Sequence, residues 1–200
     1  MRVPAVPGVT SVPLGAVEHT AAELLTVLRR IKGRDAARDP ALEIAATQTA
    51  ELADQRGAGL VAVVEHPGAD PALLVAWVVG VDRRLDPAAA AGLGHHLSDA
   101  GGPDIREVTR TETAAGYPVV IVERISLTGA QLQVVVADTA RPRVAVFTLH
   151  SPGGRGWLDV AGVAGRFVTG MRFDGPAPDH GTPVVSGRPL SGTHGRSARR

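Results

Sequence analysis

The sequence predicts an α+β fold in which an antiparallel sheet of five to six strands carries helices on its faces, as in an α/β/α sandwich. Two observations lead to this prediction. Val-rich segments follow one another with only short, turn-type links between them, and short links join antiparallel neighbours. Segments with apolar residues at helical spacing stand before, between and after these strands, so helices are available to cover the sheet.

The predicted helices have recognisable first residues. Thr20 and Glu23 form a T-x-x-E capping box, in which each side chain satisfies the other residue's free N–H. Asp39-Pro40 and Asp86-Pro87 each place an aspartate at the N-cap and a proline at the first helical position. The last helix has one apolar stripe that includes Trp157 and Phe167. The predicted helices are 20–32, 39–56, 86–100 and 157–169.

Six segments are predicted to be strands, because aliphatic residues dominate them and turn residues separate them. The third of them is mostly polar, which indicates an edge strand. In the last three, apolar residues occupy both odd and even positions, so they point to both faces, which indicates a sheet covered on both faces. The predicted strands are Leu60–Glu65, Leu73–Val81, Ile105–Glu112, Pro118–Ile125, Gln131–Asp138 and Arg143–His150.

These elements belong to a single α/β domain over residues 18–173, without an internal repeat or linker. Residues 1–17 are apolar but interrupted by Pro4, Pro7 and Pro13, and we interpret them as an extended N-terminal arm. Pro, Gly, Ser, Thr, His and Arg dominate residues 174–200 without periodicity, which predicts a disordered C-terminal tail.

The composition excludes several classes of function. The chain has 21 Lys plus Arg against 20 Asp plus Glu, so its formal net charge of +1 offers no field that attracts nucleic acid or anionic membrane. It has no cysteine, which excludes disulfides, thiolate metal sites and cysteine nucleophiles. It shows neither a signal peptide nor an apolar run of about 18 residues, so we expect a cytoplasmic protein with no membrane contact and no cofactor.

Part of the chain resembles a known family. The strand VAVFTLHSP (144–152), the helix GWLDVAGVAGRFVTGMRF (156–173) and the stretch ETAAGYPVVIVERI (112–125) are similar to the closing segments of PsbP-like α/β/α sandwich proteins, in particular uncharacterised actinobacterial members. The resemblance covers residues 60–173, while the two helices before it depart from the shortest versions of that fold. It implies a fold that includes partner-binding and accessory factors, and it assigns no functional residue.

One turn is a candidate binding site. The segment 151–156, Ser-Pro-Gly-Gly-Arg-Gly, connects a predicted strand to the last helix, where backbone N–H groups of Gly153 and Gly154 together with Arg155 would hold an anion. The alternative is a plain connecting turn, which is favoured because neither a phosphate-loop nor a dinucleotide signature is present.

Histidines suggest two further hypotheses. His95 and His96 are adjacent on a predicted helix and point about 100° apart, whereas metal-binding pairs stand three or four residues apart. A partly buried His96 is therefore the simpler interpretation. The groups of a hydrolase triad occur as His66, His150, Ser151 and Asp159, but no G-x-S-x-G elbow presents the serine.

Three classes of function stay open at this point. A non-enzymatic protein-interaction or accessory module is favoured by the resemblance and by the scarcity of catalytic groups. The alternatives are a small anionic-ligand binder that uses the 151–156 turn and an enzyme whose site is assembled from scattered residues. The pairs Arg29-Arg30, Arg83-Arg84 and Arg106/Arg110 are interpreted as solvated faces, because no aromatic residues interleave with them to form a nucleic-acid surface.

Overall fold

A computed structural model describes residues 1–33, 39–99, 104–126 and 129–174. Residues 175–200, which hold nearly all of the predicted disordered tail, lie outside the described residues. The strands are β1 (Val9–Val12), β2 (Leu60–Val64), β3 (Ala72–Gly80), β4 (Ile105–Glu112), β5 (Pro118–Ser126), β6 (Gly129–Ala137) and β7 (Arg143–Ser151). The helices are α1 (Val17–Lys32), α2 (Ala41–Gln55), α3 (Pro87–Asp99) and α4 (Trp157–Thr169).

The sheet confirms the predicted antiparallel α+β class, but the predicted number of five to six strands is wrong. The described residues form a sheet of seven strands in the order β1-β2-β3-β7-β6-β5-β4, and every neighbouring pair is antiparallel. The additional strand is β1, which lies in the predicted N-terminal arm and pairs with β2. The four residues of β1, Val9–Val12, are too few for a recognisable local pattern, so β1 owes its strand geometry to pairing.

Helices cover both faces of the sheet. Alternate residues of β3 belong to two apolar clusters, because successive strand side chains point to opposite faces. One cluster, with Leu74, is closed by α4, in which Trp157 and Phe167 are buried as predicted. The other, with Val75, is closed by α1 and α2. α3 packs on β4 and β5 on the same face as α1 and α2.

The helix starts agree with two predicted caps and contradict the third. Asp39 Oδ1 accepts a hydrogen bond from Ala41 N at 3.1 Å, and Asp86 Oδ1 accepts one from Ala89 N at 2.7 Å. The predicted capping box at Thr20 is wrong, because α1 begins at Val17 and contains this residue. The Thr20 hydroxyl instead accepts a hydrogen bond from Gly15 N at 3.1 Å and thereby holds the turn before the helix. None of the helices in the described ranges is both long and apolar enough to cross a membrane.

Candidate functional site

A cleft opens on the face of the sheet that carries α1, α2 and α3. α2 packs on β2 and β3, whereas α3 packs on β4 and β5, so β6 and β7 lie between the two helices. The cleft beside α2 has a volume of about 460 Å³, which is within the range of ligand pockets. α2 forms its wall, β3, β6 and β7 form its floor, and Pro152 lies at its rim. We call it the α2 cleft.

The floor of the α2 cleft is polar, although its strands are mostly aliphatic. Gln131 on β6 is the direct partner of His150 on β7, and Gln133 is the direct partner of Thr148. These four residues alternate along their strands with residues of the opposite cluster, so they share one face. Gln131, Thr148 and His150 line the cleft itself.

Three of these polar side chains have no hydrogen-bond partner in the described part of the chain. Within the described ranges, no hydrogen bond involves the side chains of Gln131, Gln133 or Thr148. Thr148 is only 8% exposed as a residue, but its hydroxyl and the two amides are still reached by solvent. The amides and the hydroxyl are therefore available to a bound molecule.

His150 contributes an uncharged imidazole to the same floor. Its imidazole is half-buried, and desolvation lowers the pKa of His150 below the ordinary value of 6.5, while a hydrogen bond with the backbone of Ala130 opposes the shift. The ring is therefore neutral at neutral pH, and because its N–H bonds to the Ala130 backbone, the other ring nitrogen is left as an acceptor. The described residues that line the cleft include no Asp, Glu, Lys or Arg. The site thus offers hydrogen bonds without a net charge.

The wall formed by α2 is mostly apolar and partly uncovered, with Gln48 and Thr49 as its polar members. Ile44 is 58% exposed, and Ala45 and Leu52 continue the same apolar surface. A second hollow of about 140 Å³ lies at the first turn of α2 and shares Ala45 and Pro152 with the α2 cleft. The second hollow is also lined by Lys32, Asp39 and Asp70, so charged residues stand at this end of the helix, while the described lining of the α2 cleft itself carries no charge.

The predicted anion-binding turn lies beside an acidic residue of the chain. Arg155 donates hydrogen bonds to Asp70 Oδ1 from Nη2 at 2.9 Å and from Nε at 3.2 Å, and to Gly68 O from Nη1 at 3.3 Å. The Asp70 carboxylate also lies against Gly153. An external anion would have to displace this carboxylate from Arg155. Anion binding by Gly153, Gly154 and Arg155 stays a prediction.

The structure brings together only two of the four groups considered for a hydrolase triad. His66 Nδ1 lies 3.8 Å from Asp159 Oδ2. His150 and Ser151 are consecutive in β7, so their side chains lie on opposite faces of the sheet. Ser151 is fully buried, and its hydroxyl accepts a hydrogen bond from Gly154 N at 3.3 Å. The serine therefore has a structural role in the turn before α4.

Of the two adjacent histidines of α3, the structure describes the side chain of His95. His95 is exposed, and its Nε2 lies 2.9 Å from Arg110 Nη1, so a cation stands beside the ring. The His96 side chain lies outside the described residues. Over the described ranges, no three His, Cys, Asp or Glu side chains come close enough together to hold a metal ion.

The polar floor is the feature that the sequence interpretation missed. Gln131 and Gln133 stand two residues apart in β6, and Thr148 and His150 stand two residues apart in β7, so each pair lies on one face of its strand. A hairpin register anchored at the turn between these strands would have placed the four side chains side by side. The signal was therefore a polar residue at every second position of two neighbouring strands. The contribution of α2 could not be found in this way, because it depends on tertiary packing.

No protein-family model matches this chain, and neither a curated protein nor a solved structure is significantly similar to it. The resemblance to PsbP-like proteins therefore stays a prediction. What the fold and the cleft define is a class: an antiparallel α+β sandwich with an uncharged cleft beside α2.

Proposed function

We propose that this chain is a non-enzymatic protein-interaction module and that its binding surface is the α2 cleft. One observation carries the proposal: side chains of Gln131 and Thr148, without partners in the described chain, face an exposed apolar helix wall. The polar atoms of these side chains are reached by solvent and not sealed in the core, so they can exchange water for a bound partner. A bound partner that supplies hydrogen bonds to the floor and apolar contact to Ile44 would satisfy both features.

The chemistry of the cleft favours an uncharged segment of another protein. The glutamine amide both donates and accepts, the neutral imidazole of His150 adds an acceptor, and a peptide backbone offers the complementary N–H and C=O groups. Aliphatic or aromatic side chains of the segment would pack against Ile44 and Leu52. A charged side chain in the cleft would lose hydration without gaining an ionic partner, because the described lining carries no charge.

The placement of the reactive groups supports binding over catalysis. Nucleophilic catalysis needs a nucleophile and a base within hydrogen-bond reach of each other. Ser151 is buried under the turn before α4, while His150 lies on the other face of the sheet. The pair of His66 and Asp159 has no hydroxyl-bearing side chain hydrogen-bonded to it within the described ranges. Binding requires only the shape and polarity that the cleft already has.

The test is quantitative affinity capture from cells of the organism that encodes the chain. The baits are the wild-type chain, Ile44→Glu in the cleft wall and Leu158→Glu on α4. Both residues are exposed leucine or isoleucine side chains on helices, but they lie on opposite faces of the sheet, so they are matched controls for each other. We expect wild type and Leu158→Glu to retain one protein in stoichiometric amount. The amount of that protein retained by Ile44→Glu should be about tenfold lower, as expected when an interface anchor is lost.

Two results would overturn the proposal. A protein retained equally by all three baits would bind somewhere other than the α2 cleft. Turnover that persists after repurification in a screen of hydrolase and transferase substrates, and that disappears in His150→Ala or His66→Ala, would make the chain an enzyme.

A further inference from the structure

Strand β3 is longer than the strand on one side of it. β3 has nine residues, but β2 pairs only with Ala72–Ala76. The last four residues, Trp77–Gly80, continue to pair with β7 on the other side. We call Trp77–Gly80 the β3 overhang. Although β3 is not at either end of the strand order, the β3 overhang has an open edge on the side of β2.

The hydrogen-bond directions show which backbone groups this edge presents. Gly59 N donates to Ala76 O at 3.0 Å, so Ala76 points toward β2, and Val81 N donates to Pro142 O at 2.9 Å, so Val81 points toward β7. Directions alternate along a strand, so Val78 and Gly80 present their N–H and C=O away from β7. No backbone hydrogen bond from the described ranges reaches these two residues on that side.

The other two edges of the sheet are protected, whereas the β3 overhang is not. β1 has only four residues and stands between Pro7 and Pro13. β4 carries charged residues, among them Arg106 and Arg110. Short length, proline and charge are the usual devices that prevent edge-to-edge pairing. The overhang is as short as β1, but it contains neither a proline nor a charged residue, and its Val78 and Val79 are 40% and 44% exposed.

We propose that a second copy of this chain pairs with the β3 overhang, antiparallel and about a twofold axis at Val79. In that register, Val78 lies opposite Gly80 of the second copy, and each such pair exchanges two hydrogen bonds. The twofold axis produces two such pairs, one with Val78 of each copy. Together they satisfy the open N–H and C=O groups of Val78 and Gly80 in both copies. This inference concerns a surface separate from the α2 cleft and does not depend on the proposed function.

The side chains agree with the same register. Val79 meets Val79 of the second copy at a position without hydrogen bonds, where cross-strand side chains are closest. Trp77 lies opposite Val81 of the second copy on the same face, an aromatic and β-branched pair of the kind that stabilises sheets. Gly80 leaves room for Val78 on the other face. The contact is self-complementary, as twofold interfaces require, and it is apolar at the axis, while the Arg56 guanidinium lies over the Trp77 ring 5.9 Å from its centroid at each end.

The experiment is sedimentation velocity of the full chain over a micromolar concentration series, with three variants. Val79→Lys and Val79→Glu each place two like charges at the axis, and Leu158→Lys is the control at an exposed leucine far from the edge. We expect twice the mass of one chain for wild type and Leu158→Lys, and the mass of one chain for each Val79 variant alone. An equimolar mixture of the two Val79 variants should recover the doubled mass, which also shows that both are folded.

Three results would overturn the proposal. The wild-type chain could sediment as one chain across the series. Val79→Lys could keep the doubled mass, which would place a dimer contact elsewhere. Amide exchange of Val78 and Gly80 could be slow and independent of concentration, in which case another segment of the same chain covers the edge.

Discussion

Gln131 and His150 are direct partners on adjacent antiparallel strands, and both line the α2 cleft. Their neighbours one position along each strand, Ala130 and Leu149, are buried in the opposite cluster. The pair therefore lies on the face that the helices leave partly open. This relationship gives one face of the central strands an open, polar surface, whereas their other face belongs to the core.

His150 makes stability depend on pH in a defined direction. Desolvation lowers the pKa of His150 in the folded chain, so the unfolded chain binds the proton more readily. The contribution of His150 to stability is then fully present above the unfolded pKa of about 6.5 and is lost as pH falls through the lower folded value. The free energy of unfolding should be measured with urea at a series of pH values. As pH falls below about 6.5, it should decrease more for wild type than for His150→Gln. Parallel curves would contradict the assignment.

Gly154 and Gly156 form a matched pair for testing the turn before α4. Both have φ of +66°, where residues with a Cβ are strained. A Cβ on Gly154 meets nothing within 4 Å, whereas one on Gly156 would collide with Ala69. We expect Gly154→Ala to lower the free energy of unfolding by about 1–2 kcal/mol and Gly156→Ala by about 2–5 kcal/mol, because overpacking adds to the strain. Equal losses in chemical denaturation would show that the contact with Ala69 is unimportant.

The core beneath α4 gives a further test. Phe167 is 2% exposed, whereas Leu158 on the same helix is 70% exposed. Phe167→Ala should cost about 3–5 kcal/mol, because it removes a buried ring and leaves a cavity. Leu158→Ala should change the free energy of unfolding by less than about 0.5 kcal/mol. A loss of less than about 1 kcal/mol for Phe167→Ala would contradict the packing of α4 on the sheet.

The sequence predicted the elements with a strong local signal. Asp39 and Asp86 cap their helices because a short carboxylate can reach the first free N–H groups whatever surrounds it. The stripe that includes Trp157 and Phe167 is buried because its helical period leaves one face apolar. Local chemistry was sufficient in these cases.

The predictions that proved wrong concern features that depend on contacts between residues distant in sequence. β1 is a strand only because Val9–Val12 pairs with β2, some 50 residues later in the chain. Thr20 matched a capping box in sequence, but the turn at Gly15 offered its hydroxyl a different donor and the helix began earlier. The surroundings of Arg155 depend on the fold in the same way, because Asp70, with which it forms hydrogen bonds, is near only in the folded chain; anion binding at this turn stays a prediction.

The most direct test of the α2 cleft is the affinity of the captured partner, measured by isothermal titration against wild type, Thr148→Val and Leu158→Glu. Thr148→Val preserves shape and removes only the hydroxyl on the cleft floor. We predict that Thr148→Val weakens binding about tenfold, as loss of one buried hydrogen bond does, while Leu158→Glu binds like wild type. Wild-type affinity in Thr148→Val together with weakened binding in Leu158→Glu would contradict the account, because the partner would then lie on the opposite face of the sheet.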